Sequence, residues 1–151
     1  MKKVLFVINT LGCAGAETAL IELLKSLDEK EYEISLYVLM GQGEMIDKIP
    51  GNVKLLNDHY CKESVLSKQG KQAMIKTVWR TFWKNGDVFG KFSYIIRTFS
   101  AMRSTGKIQP DKILWRVISD GSPRFEETYD LAVAYLEGGS TYYVAEHVKA
   151  K

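Results

Sequence analysis

The sequence predicts an α/β fold, a Rossmann-like doubly wound parallel sheet, and three observations carry that reading. An apolar run from Val4 to Ile8 leads into a glycine-bearing loop, an amphipathic helix and a second apolar run, the order of a βαβ unit with a right-handed crossover. The runs are continuously apolar rather than alternating, as expected for strands covered on both faces. The 151 residues are 46% hydrophobic and 26% charged, which suits one domain with a sizeable core and excludes wholesale disorder.

Taken in order, Val4 to Ile8 is the first strand and Asn9 to Gly15 the loop after it. Ala16, Ala19, Leu20, Leu23, Leu24 and Leu27 recur at helical spacing and predict one apolar helix face. Ile34 to Leu39 is a second strand, turned by Gly41 and Gly43, and Glu44 to Ile49 a short helix stopped by Pro50-Gly51. Val53 to Leu56 is a third strand. A helical segment follows at about 68–118, without strand signals. Ile75, Val78, Trp79, Phe82 and Trp83 share one face of it, and Phe89, Phe92, Ile96, Phe99 and Met102 another, with a weaker helix over Lys112 to Ile118. Asp120 to Pro123 is a loop, Leu131 to Leu136 another buried strand, and Gly138-Gly139-Ser140 leads into a last helix that Ser140 is placed to cap. A four-stranded sheet ending on a helix is an incomplete doubly wound domain, so residues 1–151 are expected to be a single domain cut short before its last strands.

Composition excludes several functions. No stretch approaches the roughly 20 apolar residues of a spanning helix. Lys2-Lys3 before an apolar run is superficially a leader, but the run stops at Asn9 without a cleavage signal, and a strand is the better reading. Cys13 and Cys61 form no CxxC, and neither His59 nor His147 stands at metal spacing. That pattern suits reduced thiols in the cytosol and argues against structural zinc. The net charge of +3 is too small to imply nucleic-acid binding, yet between Lys68 and Lys107 the sole acid is Asp87. The middle of the chain is therefore basic and aromatic. Its aromatics are core beneath a solvated lysine face, or a membrane-surface patch of Lys76, Trp79, Arg80, Trp83 and Lys84; nucleic acid is the third reading, and no recognised reading motif accompanies the charge.

Gly12-Cys13-Ala14-Gly15-Ala16-Glu17 lies where the first strand meets the first helix, the place α/β sheets reserve for ligands. Glycines permit close backbone approach, and helix N-terminal amides favour a phosphate. The plainer alternative is a tight turn in which Gly15 relieves crowding. A dinucleotide fingerprint is missing, because Thr10 stands at its first glycine and no acid ends the second strand; the P-loop Gly-Lys-Ser/Thr is also absent.

Val4 to Ile8 with Leu11 to Leu20, and Tyr129 to Gly138, make the chain resemble the N-terminal domain of family-4, or group 1, glycosyltransferases of the GT-B fold. The resemblance spans nearly the whole chain, and it departs from the family's Gly-Gly-Ala-Glu turn at Ala14. It implies a retaining enzyme, acting in cell-envelope or surface polysaccharide or glycolipid synthesis. A sugar would pass from a nucleotide-diphosphate sugar to an acceptor hydroxyl, with no cofactor and no required metal. Gly12, Gly15, Glu137 and Gly138 would line the cleft for acceptor and donor phosphates. Most donor contacts, the catalytic groups among them, would belong to a C-terminal domain that these residues do not include. The implied partners are that domain, a sugar or lipid-linked acceptor and an anionic membrane, with a cytoplasmic location on the inner membrane face. The alternative from another class is a stand-alone Rossmann-like binding module.

Overall fold

The structure, a computed structural model, describes residues 1–84, 96 and 110–151, apart from the side chains of residues 82, 84 and 110–113. In chain order its elements are β1 (Lys2–Ile8), α1 (Gly15–Ser26), β2 (Tyr32–Val38), a 3₁₀ turn (Glu44–Lys48), β3 (Val53–Leu55), α2 (Lys68–Lys84), α3 (Pro110–Gly121), β4 (Thr128–Tyr129), β5 (Leu131–Tyr135), α4 (Gly139–His147) and β6 (Lys149–Ala150). Four strands pair in parallel in the order β3-β2-β1-β5. β4 pairs in parallel with β6. The arrangement is α/β and Rossmann-like.

β1 is buried from Val4 to Ile8 because both faces of the sheet carry helices. Val4, Phe6 and Ile8 meet Leu20, Ile21 and Leu24 of α1, while Leu5 and Val7 share a second cluster with Ile118 of α3 and Tyr143 of α4. Neither face of the strand meets water, so its sequence has no reason to alternate.

Four expectations need correction. The buried face of α1 is Glu17, Leu20, Ile21 and Leu24, and Ala19 and Leu23 are exposed. Leu20 and Leu24 belong to either candidate stripe, and packing on β1 selects Ile21 over Leu23. β5 is an edge strand, only partly buried, with Leu131 53% exposed. On α2 the residues turned to the core are Met74 and Val78, and Thr81 is also buried. Ile75, Trp79 and Trp83 are exposed instead. Asp120 and Gly121, expected in a loop, close α3. The helix expected over Phe89 to Met102 falls outside the described residues except at Ile96, which is helical and exposed.

The rotated face of α1 makes a test. Leu20→Ala should cost about 2–5 kcal/mol, whereas Leu23→Ala should cost about 0.5 kcal/mol or less, both measured by urea unfolding.

Candidate functional site at the carboxyl edge of the sheet

The strand order reverses beside β1. The chain moves outward from β1 to β2 to β3, then returns to the opposite side of β1 as β5. Ligands of open α/β sheets bind at such a switch point, outside the strands' carboxyl ends. Two of the segments singled out in the sequence flank it, the Gly12–Gly15 loop after β1 and the Glu137-Gly138 turn after β5.

Asn9 joins them. Its Nδ2 donates to the Glu137 carbonyl at 2.7 Å, and its Oδ1 accepts the Ser140 amide at 2.9 Å. The amide at the start of α4 is therefore capped by Asn9 and not by Ser140, whose hydroxyl donates to the Leu136 carbonyl at 2.7 Å. The turn is tight: Leu136 has φ of 76° and Gly138 φ of 106°. Such a backbone at a non-glycine residue is sparsely populated and gathers at ligand sites. A Cβ on Gly139 would fall 2.4 Å from Leu39 Cδ2 and 2.9 Å from Trp115, so the turn is wedged against α3.

The glycine loop is pinned from the other side. Leu11 donates its amide to the Gln42 carbonyl at 2.9 Å and accepts from Met45 at 3.1 Å. A Cβ at Gly43, where φ is 143°, would lie 2.1 Å from the Leu11 carbonyl. Gly15 differs: its conformation is ordinary and nothing lies within 4 Å of the position of a Cβ. No crowding is there to relieve. The first turn of α1 has no side-chain cap, so its amides remain available to an anion.

The inner side of the loop is acidic. Positions around Gly12 approach Glu44 Oε2 and Glu17 Oε1. Glu17 is 8% exposed and occupies the first turn of α1, where the helix dipole favours a carboxylate. Glu44 Oε2 and the Tyr60 hydroxyl are buried without a hydrogen-bond partner among the described residues. Burial, and then the Glu44 charge, push the Tyr60 phenol up. Glu137 is exposed.

A second concavity, about 320 Å³, opens beside the switch point at the carboxyl ends of β2 and β3. Its walls include Tyr37, Asp58 and His59 from the sheet side, Arg80 from α2, and Ser122 from the segment after α3. His59 lies in the loop after β3, and its place just beyond a strand end is the one sequence signal that marks it. Burial pushes the Tyr37 phenol from 10.0 up to about 12.

His147 is 8% exposed at its side chain and meets Asp120 Oδ1 at 3.0 Å through Nε2. Glu146 beside it pairs with Arg116 at 2.8 Å. Ligand atoms of Asp120, Glu146 and His147 lie within 4.8 Å of one another, but the Arg116 pairing makes the group an ionic strut between α3 and α4.

No family model, no curated protein and no solved structure matches this chain. The site must be read from its own geometry.

Two outcomes follow. Asn9→Ala should cost about 1–3 kcal/mol, since it strips partners from both joined segments, and should speed hydrogen exchange at the Ser140 amide. Tyr37 is neutral in the fold at pH values where the unfolded phenol ionises. Its contribution is complete below pH 10.0 and is lost as pH rises toward about 12. Wild type should therefore weaken more steeply than Tyr37→Phe across that window in alkaline unfolding.

Proposed function

We propose that this chain is the acceptor-side half of a retaining GT-B glycosyltransferase, which transfers a sugar from a nucleotide-diphosphate sugar to an acceptor hydroxyl in cell-envelope or surface-glycan synthesis. The observation that supports it best is the meeting of the two resembling segments at one switch point, with Asn9 bonded to the turn after β5.

The charges divide the labour. The loop from Asn9 to Thr18, the turn from Gly41 to Met45 and the turn from Leu136 to Thr141 carry Glu17, Glu44 and Glu137 and no lysine or arginine. Stabilising a departing diphosphate is the main electrostatic task of the reaction, and this rim is poorly suited to it. Carboxylates suit hydroxyls, which donate hydrogen bonds to them. The rim therefore receives the acceptor, Gly15 leaves room for the edge of the donor, and the cations for the diphosphate come from a C-terminal donor-binding domain. On this reading the chain binds acceptor but transfers no sugar alone.

Amide NMR of the isotope-labelled chain tests this. Glycoside acceptors should shift the Gly12, Gly15 and Gly138 amides saturably, and UDP- and GDP-sugars should shift them more weakly. No shift with any member of an acceptor panel would favour the stand-alone binding module.

We also propose that α2 rests on an anionic membrane surface. Trp79 and Trp83 are 66% and 52% exposed, with ring centroids 5.8 Å apart. Lys76 and Arg80 are exposed on the same helix, and the sequence of α2 has no acid. The side chain of Lys84, the last patch residue, lies outside the described set. No helix among the described residues is long and apolar enough to cross a membrane, while exposed indoles with cations suit the headgroup layer. Vesicles containing phosphatidylglycerol should sediment with the chain at low salt and phosphatidylcholine vesicles should not. Lys76→Gln should weaken the interaction by about 1 kcal/mol. Equal behaviour toward both vesicles would sink the idea.

A further inference from the structure

The cavity at the ends of β2 and β3 lies beside the glycine rim and shares with it the turn after β2. Asn57 imitates a strand residue against β2: its Oδ1 accepts the Val38 amide at 2.9 Å and its Nδ2 donates to the Val38 carbonyl at 2.7 Å. That fixes the start of the loop bearing Asp58 and His59. The far end is tied by Cys61, whose amide donates to the Gly41 carbonyl at 2.8 Å and whose carbonyl accepts the Gly43 amide at 3.0 Å. Gly41, with φ of 58°, lets His59 come so close that a Cβ there would lie 2.8 Å from the His59 carbonyl. On the opposite side α2 and α3 touch at Gly121, where a Cβ would fall 2.3 Å from the Thr81 carbonyl. Tyr37 and Ser122 also line the cavity, and the Ser122 hydroxyl is held by the Ile118 carbonyl, to which it donates at 2.7 Å. A cavity with its walls braced in this way exists before any ligand arrives, and binding need not organise it.

Its ionisable lining is mixed. Arg80, His59 and Asp58 all border the space, and Arg80 forms no hydrogen bond or ion pair among the described residues. An open guanidinium is a fork for phosphate oxygens, and an imidazole adds a further donor. Asp58 works the other way: it repels a bare anion and accepts hydrogen bonds from hydroxyls. Against these stand the apolar Leu39 and Leu56. The volume, about 320 Å³, sits at the small end of ligand pockets.

We infer that this cavity binds a phosphorylated polyol of monosaccharide size, with Arg80 and His59 on the phosphate and Asp58 on the hydroxyls. The inference does not depend on glycosyl transfer, and Asp58, His59 and Arg80 all lie outside the glycine rim.

The test is amide NMR of the full chain titrated with glucose 6-phosphate, glucose, glucuronate and inorganic phosphate. Glucose 6-phosphate should shift the Asp58, His59 and Gly121 amides saturably. Inorganic phosphate should bind more weakly at the same amides, and glucose should leave them in place. Arg80→Gln, an exposed position, should weaken glucose 6-phosphate by about tenfold or more, the loss of a charge-assisted hydrogen bond. Lys71→Gln, on the same helix but outside the lining, should leave its affinity unchanged. Asp58→Asn should weaken glucose 6-phosphate relative to inorganic phosphate, which should bind no less tightly than to wild type. The proposal is overturned if glucose or glucuronate binds as tightly as glucose 6-phosphate, or if Arg80→Gln has no effect. It also fails if the only shifts are at Gly12, Gly15 and Gly138, and that last pattern would leave the glycine-rim reading standing.

Discussion

The structure depends on β1 lying at the centre of the sheet, paired in parallel with β2 along one edge and β5 along the other. Its apolar side chains are divided between the two faces, and each face is covered by helices from a different part of the chain. Because β1 has neighbours on both sides, the polypeptide must leave it in one direction and return in the other. That constraint creates the switch point, and with it a crevice that no later detail of sequence has to build. Asn9, the first polar residue after the strand, then converts the topology into a joint by bonding across the gap to the turn after β5.

Electrostatics gives the carboxyl edge two characters. Around the glycine loop the charges are carboxylates, with Glu17 nearly buried against the helix it helps begin. Around the neighbouring cavity an arginine, a histidine and an aspartate share one space. The acidic rim suits hydroxyl-bearing ligands and the mixed cavity suits an anion that also carries hydroxyls. At the other end of the strands Lys3 pairs with Glu127, which holds its ammonium above the usual range and the Glu127 carboxyl below it. Those groups are half-buried at the sheet's margin and do little more than dress the amino edge.

Much of this was legible in the sequence because the decisive signals are local. Val4 to Ile8 reads as a buried strand from its composition, and Gly41, Gly43 and Pro50 punctuate the following turns where backbone geometry demands them. Other features depend on which element packs where. Nothing in the spacing of Leu20, Ile21, Leu23 and Leu24 decides between two overlapping stripes, and packing on β1 decides it. Leu131 to Tyr135 has the composition of an interior strand and becomes an edge through sheet order alone. The aromatics of α2 suit a core face or a surface patch equally by spacing, and packing decides it: Trp79 and Trp83 face outward while Met74 and Val78 pack inward. The roles of Asn9, Asn57 and His59 rest on contacts between segments far apart in the chain, beyond the reach of periodicity.

The central claim is that ligand binds over the switch point between β1 and β5. Paramagnetic broadening by a spin-labelled glycoside tests it most directly. The account predicts strong broadening of the Gly12, Gly15 and Gly138 amides and none at Glu31 or Asp130, which lie by the amino ends of the strands. Broadening centred on Glu31 and Asp130, or spread evenly over the surface, would contradict it.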